Sequence, residues 1–275
     1  METLRAYGEP PFTVAVLHGG PGGLGEAAPV ARELGRRRGV LEPMQRAVSV
    51  EGEILELEGL LESRALPPVT LVGFSWGAWL AWLFAARFPS RLQKLILVSS
   101  GPFEESYAEA ISHVRFDRLT PEEQAEAGRL MEAMDSPYGK EAEAAFARFG
   151  ELLTKADAFD PMPEAVEPVE HRLELFQRVW PEAAELRKSG RLLQQGRQIA
   201  CPVVAIHGDH DPHPAEGVKA PLSGVLEEFR FILLERCGHR PWIERHARDA
   251  FFEALESSIP RGVGPKPPQS GHGRG

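Results

Sequence analysis

The chain contains no asparagine. It therefore carries no Asn-x-Ser/Thr acceptor for N-glycosylation. Its two cysteines, Cys201 and Cys237, are too few for a disulfide framework, so the fold must rest on an apolar core. Positive charge is scarce too, with 31 Lys and Arg against 40 Asp and Glu and a net charge of −9. An acidic chain is a poor partner for nucleic acid or an anionic membrane, and neither is expected. The first twenty residues lack a basic start followed by a long apolar stretch. No signal peptide is expected, and a cytoplasmic location follows as an expectation. No internal repeat of solenoid or propeller period is visible.

Charge is missing altogether from residues 65–86, a stretch long enough on paper to cross a bilayer. Pro67-Pro68 and Gly73-Phe74-Ser75-Trp76-Gly77 interrupt it. Breakers in mid-span fit a strand, a tight turn and a buried helix better than a membrane span. The rest is ordinary globular composition: 275 residues, 43% hydrophobic and 26% charged, enough to bury a core without staples.

Apolar runs alternate with helical patterns. Strands are expected at 12–17, 40–44, 69–72, 95–98, 203–206 and 231–234, and helices at 27–38, 51–65, 78–88 and 243–255. Between 101 and 198 the strand-like runs vanish and acidic helical segments take over. Thr120-Pro121-Glu122-Glu123 has the order of an N-cap, a proline at N1 and a glutamate at N3. Residues 173–179 and 183–193 read as two further helices. Alternation of this kind implies an α/β protein, a mostly parallel sheet with helices on both faces. Residues 1–100 and 199–260 would form its core, 101–198 an inserted helical cap, and 261–275 a mobile tail. Ligands of open α/β sheets bind at the carboxyl ends of the strands, so the cap would cover the site.

The chemistry gathers at those strand ends. Ser75 sits in Gly73-x-Ser75-x-Gly77, between a strand and a helix. That context demands a sharp turn with the hydroxyl exposed. A serine hydroxyl needs a base to take its proton, and the base needs a carboxylate to orient it. Of nine histidines, His239 stands out in Cys237-Gly238-His239, just past the last strand. Asp211 follows the preceding strand in His207-Gly208-Asp209-His210-Asp211-Pro212, with Asp209 as its competitor. The order Ser, Asp, His is the one expected on a hydrolase sheet. The histidines at 207, 210 and 213 lack a familiar metal-ligand spacing, so no metal is expected. An oxyanion needs backbone donors. The N–H of Trp76 and that of Gly20, in His18-Gly19-Gly20-Pro21-Gly22, are placed to serve, with Gly19 in reserve. The same glycines fit neither GxGxxG nor a P-loop, which disfavours nucleotide binding.

With these residues the chain resembles the α/β-hydrolase superfamily over 12–98 and 203–255. His18-Gly19-Gly20-Pro21-Gly22 with Gly73-x-Ser75-Trp76-Gly77 resembles the prolyl iminopeptidase group of serine peptidases. The resemblance implies an α/β-hydrolase fold and a triad of Ser75, Asp211 and His239. It also implies an oxyanion donor from the glycine loop. The Asp-x-Arg-Gly-x-Gly-x-Ser segment usual in that group is absent, and Leu41 to Ser49 stands in its place. The N-terminal part is short, so one or both opening strands are expected to be reduced or missing. The expected activity is a serine hydrolase that forms an acyl-enzyme on a small ester, amide or short-peptide substrate, without metal or organic cofactor. The alternatives are a carboxylesterase, a carbon–carbon bond hydrolase and a silent ligand-binding protein on the same fold. Glu104, Glu105 and Glu109 could hold a substrate amine but read as a solvated helix face.

Overall fold

The computed structural model describes residues 3–135, 139–162 and 169–260; the expected tail at 261–275 lies outside the described residues. The strands are β1 (Leu4–Tyr7), β2 (Phe12–Leu17), β3 (Gly23–Leu24), β4 (Gly39–Pro43), β5 (Val69–Phe74), β6 (Leu92–Val98), β7 (Glu170–His171), β8 (Val203–Gly208) and β9 (Phe229–Leu234). Seven of them form one sheet in the order β1-β4-β2-β5-β6-β8-β9. Only β1 is antiparallel to its neighbour; the other pairs are parallel.

Period-two alternation sends side chains to opposite faces of the sheet. Ala15, Leu17, Leu71, Leu95, Leu97, Val203 and Ala205 pack on one face with α2 (Val50–Arg64), α3 (Trp76–Arg87) and α9 (Glu216–Val225). Val14, Val16, Val72, Ile96, Val98, Val204 and Ile206 pack on the other with α1 (Ala28–Gly35) and α10 (Arg248–Ser258). Both faces of the central strands are covered, and β2, β5, β6 and β8 accordingly carry continuous apolar runs. α3 is buried from Trp76 to Ala86. Its indoles still find acceptors: Trp79 Nε1 donates to the Gly101 carbonyl at 3.0 Å and Trp82 Nε1 to that of Leu192 at 2.8 Å. No helix among the described residues is long and apolar enough to cross a membrane. The uncharged stretch is β5, a turn and α3.

Between β6 and β8 come α4 (Ile111–Asp117), α5 (Pro121–Met134), α6 (Lys140–Asp157), β7, α7 (Leu173–Lys188) and α8 (Arg191–Gln194). Thr120 and Glu123 close a reciprocal capping box on α5. β7 pairs with β3, which joins this segment to the loop after β2.

The opening part holds one short strand: β1 pairs through Leu4–Tyr7 with β4. Its four residues, LRAY, sit at an edge and carry no apolar run to betray them. Two expectations about helices need correction. The helices expected at 173–179 and 183–193 are one helix, α7, that runs through Pro181, followed by the short α8. Interior proline costs about 3 kcal/mol. Leu173, Leu175, Val179 and Ala183 stay buried on one face across it, and their burial offsets that loss. The last helix starts at Arg248, not at 243. Pro241–Ile243 is a separate 3-10 turn, and Glu244, with extended backbone, follows it ahead of α10.

Candidate active site

Ser75 follows β5 with φ +53° and ψ −115°, a conformation that non-glycine residues rarely adopt. Its N–H donates to the Val98 carbonyl at 3.0 Å, which anchors the turn to the neighbouring strand. The flanking glycines are there for space. A Cβ on Gly73 would lie 2.2 Å from the Gly77 carbonyl oxygen, and one on Gly77 would lie 2.4 Å from that of His18. Gly77 thus lets the start of α3 rest on the end of β2, where the glycine loop begins. Trp76 opens α3, so its N–H belongs to a first turn that has no intrahelical acceptor. Gly20 has φ +113° and lies exposed in the loop after β2. Next to it the His18 ring is buried, with Nδ1 2.7 Å from the Gly19 carbonyl oxygen, so Nδ1 carries the proton.

His239 Nε2 lies 3.0 Å from Ser75 Oγ, and His239 Nδ1 lies 2.8 Å from Asp211 Oδ2. The three residues expected at the ends of β5, β8 and β9 therefore meet in one row. The loops after β8 and β9 are joined by backbone. Asp209 N donates to the Leu234 carbonyl at 2.9 Å, and His210 N to that of Cys237 at 2.9 Å. A Cβ on Gly208 would lie 2.2 Å from the Cys237 carbonyl oxygen, so the loops approach as closely as backbone allows. The Asp209 carboxylate accepts from Cys237 N at 3.1 Å and does not face His239.

The Asp211 side chain is fully buried. Burial alone would push its carboxyl up. The rings of His239, His213 and His207 and the His213 hydrogen bond outweigh this and hold it well below the usual carboxylate range. His213 is a residue whose role sequence reasoning missed. Its Nδ1 lies 2.8 Å from Asp211 Oδ1, its backbone N–H donates to the same oxygen at 2.9 Å, and its ring centroid is 4.5 Å from that of His239. Asp211, His213 and His239 offer ligand atoms within 4.8 Å of one another, the geometry of a possible cation cluster. Both Nδ1 atoms facing the carboxylate are engaged with it as donors, which leaves a metal no lone pair there without loss of those bonds. His210 stands apart with its ring against Phe159, at 5.2 Å between centroids.

The segment before β8 grips the His239 loop. His239 N donates to the Asp157 carbonyl at 2.9 Å, at the end of α6. The Asp157 carboxylate takes two bonds of 2.7 Å from Arg115 on α4. Burial would push that carboxyl up, but Arg115 holds it below its ordinary value. Glu244, fully buried, accepts backbone N–H groups of Gly238, Phe159 and Asp160, each at 2.9 Å. Arg240 joins Glu26, near the glycine loop, to Thr154 on α6. Behind the turn, Trp76 Nε1 donates to Glu53 at 2.9 Å, and burial pushes the Glu53 carboxyl up to about 8. Of the glutamates considered for an amine, Glu105 is paired with Arg187 at 2.8 Å, and Glu104 and Glu109 lie exposed. Nothing in the sequence marked Glu244, Asp157 or Glu53 as special, because each sits among many ordinary acidic residues.

The family model of the alpha/beta hydrolase fold matches residues 57–245. A protein of Pseudomonas putida named 2-hydroxy-6-oxo-2,4-heptadienoate hydrolase is 37% identical over 261 residues, which span 90% of this chain and 88% of that one. Among solved structures, a thermophilic esterase from Thermogutta terrifontis superposes with a TM-score of 0.61 at 20% identity, covering 94% of this chain and 93% of that one. An enol-lactonase from Burkholderia xenovorans superposes with a TM-score of 0.59 at 20% identity, covering 92% and 94%. These two likenesses bear on the fold alone.

Proposed function

The chain belongs to the alpha/beta hydrolase fold family, and on that premise we propose that it is a serine hydrolase working through an acyl-enzyme on Ser75. The observation that carries this reading is the continuous row from Ser75 Oγ through His239 to Asp211, at 3.0 Å and 2.8 Å. His239 Nε2 takes the hydroxyl proton as Ser75 attacks a carbonyl carbon. The oxyanion that forms is held by the N–H groups of Gly20 and Trp76. His239 returns the proton to the leaving group, and the acyl-enzyme is then hydrolysed by water with the roles reversed. Asp211 fixes the His239 tautomer and stabilises the imidazolium. The substrate is a small molecule or short peptide with an ester, amide or N-terminal peptide bond. The glycine loop and Trp76 support a prolyl aminopeptidase reading within that range.

A second reading has its own support. The name of the Pseudomonas putida relative favours hydrolysis of a carbon–carbon bond in a 2-hydroxy-6-oxo-dienoate. A fluorophosphonate probe tests the shared premise: labelling of the wild type and none of Ser75→Ala is expected. Labelling that survives the substitution overturns the premise. Turnover of a proline anilide, a short p-nitrophenyl ester, a longer-chain ester and a 2-hydroxy-6-oxo-dienoate then separates the readings, with the bond cleaved fastest deciding.

A further inference from the structure

The Asp211 carboxylate serves two imidazoles. Its Oδ2 receives His239 Nδ1, and its Oδ1 receives both the backbone N–H and the Nδ1 of His213. An ionised carboxylate only accepts, so each facing ring nitrogen carries a proton. Both rings are thus fixed as Nδ1–H tautomers with Nε2 free to accept. They lie side by side, with centroids 4.5 Å apart and planes 30° from parallel. Any residue but proline at 213 would supply the backbone N–H. The ring N–H is a second donor to the same oxygen.

We propose that His213 is a positioning residue: by holding one oxygen of Asp211 with a side-chain donor, it limits how strongly that carboxylate binds the His239 imidazolium, and so sets the lower pH at which His239 can act as base. The inference rests on the triad reading above. A carboxylate that already accepts two hydrogen bonds on Oδ1 presents less negative charge to a third donor on Oδ2. Remove the ring donor, and the imidazolium of His239 gains. Burial pushes His213 down to about 4, so it meets Asp211 as a neutral donor through the range in which a histidine base works.

Other titratable and charged groups also face this cluster. His207 Nε2, on β8, stands 3.5 Å from Asp211 Oδ2 and 2.8 Å from the His213 carbonyl oxygen. Asp209 and His210 flank it on the same loop. Arg115 on α4, Arg118 just beyond it and Asp157 at the end of α6 act on it from the segment before β8. Cys237 and Glu244 stand on the His239 side. All of these groups are present in both variants at 213, so the comparison between the two isolates the donor.

The test compares His213→Leu, which fills the space without a donor, with His213→Asn, whose amide can place an N–H near the position of Nδ1. The readout is the pH dependence of fluorophosphonate labelling, which needs no knowledge of the natural substrate. The acid limb is expected to move to higher pH by about 0.5–1 unit in His213→Leu and to stay near the wild-type position in His213→Asn. Equal shifts in both variants, or none in either, overturn the proposal. Nitrogen NMR of histidine-labelled wild type is a second test, independent of whether a variant folds. His213 is expected as the Nδ1–H tautomer at neutral pH, and an Nε2–H tautomer overturns the proposal. Failure of the triad reading looks different: the wild type would then not label at Ser75 at all, while the tautomer measurement still decides the role of His213.

Discussion

His239 Nδ1 lies 2.8 Å from Asp211 Oδ2, while Asp209, two residues earlier in the same loop, spends its carboxylate on the backbone N–H of Cys237 at 3.1 Å. Two aspartates that look alike in the sequence therefore have separable tasks. Asp211→Asn is expected to lower the rate of Ser75 labelling and of ester turnover by about 10⁴-fold, because an amide no longer fixes the imidazole tautomer. Asp209→Asn keeps an oxygen acceptor for Cys237 and is expected to cost less than about tenfold, with about 1 kcal/mol of stability. Stopped-flow labelling and urea melts of the two variants check this, and the reverse ranking would move the carboxylate role to Asp209.

Ser75 is held at φ +53° between β5 and α3. Strain of this kind costs about 1–3 kcal/mol and persists because the surrounding backbone fixes it. Ser75→Ala and Ser75→Gly both remove the hydroxyl and are expected to lose labelling. Only glycine relieves the backbone. Ser75→Gly should therefore be more stable than Ser75→Ala by about 1 kcal/mol in a urea melt. Equal stabilities would mean that the turn stores no strain.

Much of this site is legible in the sequence, for a physical reason. Ser75 and Asp211 follow β5 and β8, which are buried along their whole length and therefore apolar almost throughout. His239 follows β9, an edge strand that still carries the apolar run at 231–234 although Leu233 is exposed. The parallel sheet then brings their carboxyl ends to one rim, so position along the chain is enough to group them. What is not legible depends on contacts between distant segments. β1 pairs at an edge with no apolar signal of its own. α7 runs through Pro181 because packing overrides a local preference. Glu244 matters only because Gly238, Phe159 and Asp160 turn their N–H groups toward it. The sequence offers His213 only as a candidate metal ligand; its place beside Asp211 comes from the fold of the loop.

Glu53 is expected to make stability fall as pH rises through the weakly acidic and neutral range. Burial raises its carboxyl to about 8, above the unfolded value, so the native state binds a proton that the unfolded state releases. The sign follows from linkage. Stability is unaffected below the unfolded carboxyl range, falls as pH rises from there toward 8, and levels off beyond. The loss between pH 5 and pH 8 is at most on the order of 3 kcal/mol. Glu53→Gln keeps an acceptor for Trp76 Nε1 and removes the titration. The variant is expected to melt near the wild type at pH 5 and well above it at pH 8, by thermal denaturation. Parallel curves at both pH values would refute the assignment.

Glu244 ties the segment before β8 to the His239 loop with one side chain. Its Oε1 accepts from Gly238 and Phe159, and its Oε2 from Asp160, each at 2.9 Å. The residue is fully buried, so these N–H groups have no water to turn to. Glu244→Gln keeps one oxygen and puts an NH₂ donor where the other accepted. At least one backbone N–H then loses its partner and meets a second donor. A buried charge-assisted hydrogen bond contributes about 1.5–3 kcal/mol, and a loss of that size is expected in a urea melt. The damage should be local. Hydrogen exchange should quicken at 157–160 and 237–240 together, because both ends of the tie are released, and Ser75 labelling should slow as His239 loses its fixed backbone. Faster exchange at only one of the two segments would mean that Glu244 braces that segment alone and that His239 is held by the Asp157 carbonyl without it.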